Sequence, residues 1–127
     1  MEIHMATRLN QSTFNCLTVE WHRDVCVVSL RESCLDETWI HRMGEELSAL
    51  VVRDGCRKMV ITLSELNCLY SLLLGQLLAL RRLLHSYNGS LKLAEVPELC
   101  REVFRVCCVD KFFDFADTRE EALASLS

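Results

Sequence analysis

Eight cysteines and four histidines are the most reactive side chains of this 127-residue chain, and their spacing sets aside most of the chemistry they could do. Cys16, Cys26, Cys34, Cys56, Cys68, Cys100, Cys107 and Cys108 include no CxxC pair, and no cysteine–histidine spacing of a zinc site occurs. Most of them sit in apolar runs such as Val25-Cys26-Val27 and Val106-Cys107-Cys108-Val109, where free cysteine behaves as a small hydrophobe. The even count would suit a disulfide scaffold, but Met1 to Asn10 has no apolar core of a secretory signal, so reduced thiols are expected. Neighbours such as Cys107 and Cys108 bridge one another only with strain, which sets a thiol-redox role aside. His4, His22, His41 and His85 lie in polar or helical-surface settings, outside any serine–histidine or cysteine–histidine motif. The four glycines are scattered and form no phosphate loop. No catalytic residue, no metal ligand and no cofactor is therefore expected, and the chain does not read as an enzyme.

Ser71 is a different kind of candidate. It opens a helical segment of about residues 71–87 that Asn88-Gly89 closes. A helix N-terminus carries unpaired N–H groups and partial positive charge. A hydroxyl there can cap the first turn or face a partner. Leu73, Leu77, Leu80 and Leu84 recur at helical spacing and predict the core face. At about 100° per residue, Leu72, Ala79 and Leu83 fall on another face, with Gly75, Gln76 and Arg82. Leucines exposed there predict a contact surface for another protein, unless the first or third helix packs over them.

The elements that hold this helix follow from local patterns. Residues 1–13 read as a loose arm, and 14–127 as one domain, the usual size for a single core. Strands are predicted at Cys16 to Glu20 and Val25 to Leu30, joined through the polar turn Trp21 to Asp24. Asp36 caps a helix running to Val52, with Leu35, Trp39, Met43, Leu47 and Leu50 inward, and Asp54-Gly55 stops it. Lys58 to Leu63 is a continuous apolar run suited to a central strand. Ser64 to Tyr70 is a connection, and Leu91 to Ala94 the next strand. Pro97 opens a third helix with Leu99, Val103 and Val106 inward. Phe112 to Phe115 is a short strand, and Thr118 with Glu121 forms a capping box for a helix from Arg119 to Leu126. The order β-β-α-β-α-β-α-β-α calls for an α/β fold with parallel pairs and right-handed crossovers.

Bulk properties narrow the partners. The net charge is −4 and no basic run stands out, which argues against nucleic acid and against a polybasic membrane anchor. The most apolar stretch, Leu72 to Leu84, is too short and too charged to span a bilayer. A cytoplasmic location is expected.

Several segments resemble the STAS domain, the fold of anti-sigma factor antagonists. Ser33-Cys34-Leu35-Asp36 resembles the family's Gly-x-Leu-Asp loop before its first helix. Met59 to Leu66 resembles its central strand and the turn after it. Tyr70-Ser71-Leu72-Leu73-Leu74-Gly75 stands where the family has Asp-Ser-Ser-Gly-Leu-Gly, and Asn88 to Leu93 resembles the following strand. Cys107 to Phe115 and Thr118 to Leu126 match the closing segment, so the likeness covers about residues 17–126.

This resemblance implies a mixed β-sheet of four to five strands with about four helices packed largely on one side. It also implies a protein-binding role, toward an anti-sigma factor that is also a serine kinase, with phosphorylation at the Ser71 position breaking the complex. Asp36 matches a loop aspartate near that serine. The implied contact set is Asp36, Asn67, Tyr70, Ser71, Leu72, Gly75, Gln76, Ala79 and Leu83. Tyr70, Leu72 and Leu73 replace the family's aspartate, serine and glycine, which predicts a more apolar surface there. Two alternatives remain: a constitutive accessory subunit of a transport ATPase or other complex, and a small-molecule or nucleotide-binding domain. A homodimer through the leucine-rich helix is a further expectation.

Overall fold

The structure, a computed structural model, describes residues 17–30, 37–66, 69 and 71–126. The expected N-terminal arm, Leu35, Asp36, Asn67 and Tyr70 lie outside the described residues.

β1 (Leu17–His22) alternates buried and half-buried positions, with Leu17, Val19 and Trp21 turned into the core. It pairs antiparallel with β2 (Val25–Leu30) through the two-residue turn Arg23-Asp24, where Arg23 takes a φ of 60°. Trp21 therefore belongs to the strand and is buried, not part of the turn. The two-residue period continues from Val19, and a large ring gains more from burial than from a place in a polar turn.

β3 (Lys58–Thr62) pairs parallel with β2, β4 (Ser90–Ala94) parallel with β3, and β5 (Asp114–Ala116) parallel with β4. The sheet order is β1-β2-β3-β4-β5. The apolar runs of β2 and β3 are explained by cover on both faces. On one face, Cys26, Val28, Met59, Ile61, Leu91 and Leu93 meet α1 (Glu37–Val52), α2 (Ser71–Ser86) and α3 (Glu98–Val106). On the other, Val25, Val27, Val60 and Ala94 meet α4 (Arg119–Leu126), through Ala122, Leu123 and Leu126. This mixed five-stranded sheet, with helices mostly on one side, is the expected architecture.

In α1, Met43, Leu47 and Leu50 are buried as predicted, joined by Ile40 and Val51, while Trp39 is half-buried. α3 departs from expectation. Leu99 and Val106 are 72% and 70% exposed, and Val103 is half-buried. Cys100 and Phe104 are the inward residues. Phe104 lies edge-on to Phe113 at 5.2 Å and to Phe115 at 5.3 Å between centroids, and this aromatic cluster turns the helix. Those two rings also correct the last strand. Asp110–Phe112 is a 3-10 turn, and β5 begins at Asp114. Phe112 consequently points outward.

The α4 capping box forms in part, its return bond reaching Asp117, the residue before Thr118. Glu121 N donates to Thr118 Oγ1 at 3.1 Å, and Glu121 Oε1 accepts from Asp117 N at 3.3 Å.

Candidate partner-binding site

Parallel strands deliver their following helices from one edge of a sheet, and this places the start of α2. After β3, Leu63 N donates to Ala94 O at 3.1 Å and Leu66 N to Leu63 O at 3.1 Å. Leu63, Leu66 and Leu69 are buried. These anchors pin the connection at the carboxyl ends of β3 and β4 and set Ser71 at the surface, as the first residue of α2. No acidic residue lies in the first turn of α2, so carboxylate charge does not offset the helix dipole there.

Leu73, Leu77, Leu80 and Leu84 form the inward stripe as predicted, and Leu74 joins them. Opposite, Ser71, Gly75, Ala79 and Arg82 are exposed along one ridge. Leu72, Gln76 and Leu83 flank that ridge and are half-buried. Leu72 and Leu83 pack against the main core, so they rim the ridge instead of standing fully exposed as expected. The cause is α1. Its Gly44 lets Gln76 lie against the neighbouring helix, closing that side of α2. Leu73 is wholly buried, so the leucine at the family's glycine position adds core volume and no apolar surface.

Gly75 is the unusual member. Among the described residues, a Cβ built there meets nothing within 4 Å, and its φ is not in the left-handed region. Neither conformation nor packing against the described residues calls for glycine in this helix, where it costs about 1 kcal/mol relative to alanine.

Sequence reasoning missed a cleft at the opposite end of α2, lined by Arg81, His85, Lys111 and Phe112 among others. Its residues come from separate segments, and no local spacing signals their meeting. Among the described residues, no helix is long and apolar enough to cross a membrane.

The parallel core with one antiparallel edge hairpin, and a helix opened by an exposed serine at the strand carboxyl ends, define a small α/β domain of the STAS class. The chain belongs to the family described as Mlab, STAS domain, which matches residues 17–117. Among solved structures, it resembles an anti-sigma factor antagonist from Mycobacterium paratuberculosis. Identity to that protein is 27% and the TM-score 0.74, over 87% of this chain and 92% of that one. A STAS domain protein from Planctomyces limnophilus shares the fold at 23% identity and a TM-score of 0.73, over 87% of this chain and 98% of that one. The Bacillus cell fate determinant SpoIIAA, in its phosphorylated form, does so at 20% identity and 0.69, over 87% of this chain and 99% of that one. Among the curated proteins nothing matches this sequence.

Proposed function

We propose that this chain is a protein-binding regulatory module that docks a partner on the opening of α2 and its outer ridge, and that Ser71 is its point of control. The open space over Gly75 carries the reading. A glycine kept at a cost in a solvent-facing helix is explained by another backbone coming close when a partner docks. Leu72 and Leu83 then supply apolar rim contacts, Ser71 and Ala79 the low relief between them, and Gln76 a polar contact. Asp36, Asn67 and Tyr70 belong to the proposed contact set by the family resemblance. A phosphate on Ser71 would be tolerated by its own helix N-terminus. It would also add about −1.5 to −2 charges to the docking surface, enough to repel an acidic partner. Likeness to anti-sigma factor antagonists favours an anti-sigma factor with serine kinase activity as that partner.

The test uses the purified chain, a candidate anti-sigma kinase and ATP. Mass spectrometry is expected to find one phosphate, absent from Ser71→Ala, and Ser71→Glu is expected to weaken the complex about tenfold or more. A tight complex that leaves Ser71 unmodified and tolerates Ser71→Glu would replace this reading with the second one. That second reading is a constitutive accessory subunit of a transport ATPase or similar complex. The match to the Mlab, STAS domain family and the apolar rim of Leu72 and Leu83 favour it.

A further inference from the structure

At the carboxyl end of α2, roughly 21 Å along the helix from Ser71, the surface opens into a two-lobed cleft. The smaller lobe, about 130 Å³, is lined by Arg81 and His85 of α2, Ser90 at the start of β4, and Lys111, Phe112 and Asp114 from the last connection. The larger, about 370 Å³, shares Arg81, His85 and Phe112 and adds the apolar Leu78 and Val109, with Arg82 at its side. The Arg81 guanidinium lies 5.6 Å from the Phe112 ring centroid and the Lys111 ammonium 5.9 Å from it.

Cations near a helix carboxyl end are ordinary, since they offset the dipole. That accounts for Arg81, Arg82 and His85 but not for Lys111, which is next to Phe112 in sequence and reaches the end of α2 together with it. None of these four side chains forms an ion pair with a described carboxylate. Among the described residues lining the cleft, Asp114 is the single acid. The like charges of Arg81 and Lys111, gathered at one ring, repel, and a bound anion relieves that repulsion. In a chain of net charge −4, such a cluster is a local exception.

We infer that this cleft binds a small organic phosphate monoester. The phosphoryl oxygens accept from Arg81, Lys111 and the Ser90 hydroxyl in the smaller lobe. The organic part lies over Phe112 against Leu78 and Val109 in the larger lobe, whose volume falls within the range of ordinary ligand pockets. The larger lobe meets the far end of the ridge at Arg82, but Ser71 and Gly75 lie away from it, so either site can fail without the other.

Phenyl phosphate, phenol and inorganic phosphate, each titrated into the full chain by calorimetry and amide-shift mapping, test it. Phenyl phosphate is expected to bind saturably with a Kd on the order of 1 mM or tighter, and phenol not at all. Arg81→Gln and Lys111→Gln, both at accessible positions, should each weaken binding about tenfold with the melting temperature unchanged. Phe112→Ala should weaken phenyl phosphate but not inorganic phosphate, and Ser71→Ala neither. Phosphatidylcholine vesicles with and without phosphatidic acid separate the sources of the ester. Capture that depends on both phosphatidic acid and Arg81 makes it a lipid headgroup, and binding of phenyl phosphate alone makes it a soluble metabolite. Absence of saturable binding in both arms, or binding indifferent to both Arg81→Gln and Lys111→Gln, overturns the inference.

Discussion

The side-chain amide of Gln76 lies so close over Gly44 that a Cβ built on that glycine would overlap Gln76 Oε1. A residue of the proposed docking surface is thus held in place by the absence of a side chain on α1. In Gly44→Ala only the flexible end of Gln76 has to move, while the helix regains up to about 1 kcal/mol of propensity. Urea melts should show a stability change within about 1 kcal/mol. Partner affinity should fall, because the displaced amide is pushed toward the ridge. Unchanged affinity would separate Gln76 from the docking surface.

Gly75→Ala should move stability and binding in opposite directions. The new methyl group meets open space, so the fold should gain about 0.5–1 kcal/mol. The same methyl group stands where a partner backbone would approach, so affinity should drop at least fivefold. Thermal melts and calorimetry on one variant read both effects. A stabilised variant with unaltered affinity would remove the close-approach argument.

The ion pair between β1 and α4 predicts an acid sensitivity. Glu20 Oε1 accepts from His22 Nε2 at 3.1 Å and from Arg119 Nη2 at 2.7 Å. The hydrogen bond from His22, and next the charge of Arg119, hold the Glu20 carboxyl below its ordinary value of 4.5. A lowered carboxyl pKa means that the unfolded chain binds the proton more readily. The stabilisation is therefore complete above about pH 4.5 and fades as pH falls further. The side chains are about one-third exposed, so the effect should be about 0.2–1 kcal/mol. Glu20→Gln should lose that amount at pH 7, and its gap to the parent should narrow as pH falls below about 4.5, as followed by urea melts across pH.

Phe104→Ala should be the most damaging single truncation on α3. The ring is fully buried and supports Phe113 and Phe115 edge-on. Its loss should cost about 3–5 kcal/mol. Leu99→Ala, one turn away and 72% exposed, should change stability by under about 0.5 kcal/mol.

This contrast shows where sequence reading succeeds and where it stops. The strands at Val25 to Leu30 and Lys58 to Thr62 were legible because long apolar runs bounded by turns have few other uses. Ser71, Gly75 and Ala79 were legible as one outer ridge because helical period alone fixes that relation. In α3 two apolar stripes compete within nine residues, and only the distant rings of Phe113 and Phe115 decide for Cys100 and Phe104. The half-burial of Leu72 and Leu83 likewise depends on where α1 lies. Trp21 was misplaced because polar neighbours hid the continuing alternation of β1.

The strand order in space is the strand order in sequence, which has a consequence for biogenesis. During translation each emerging strand finds its neighbour already present, so the ladder can grow in the direction of synthesis. The reverse face of that ladder is another matter. Among the described residues, Val25, Val27, Val60 and Ala94 gain their helical cover only when Arg119–Leu126 arrives, so the nascent chain carries a sticky apolar strip until that helix emerges. Chaperone dependence should be concentrated in the interval between the emergence of β4 and that of α4.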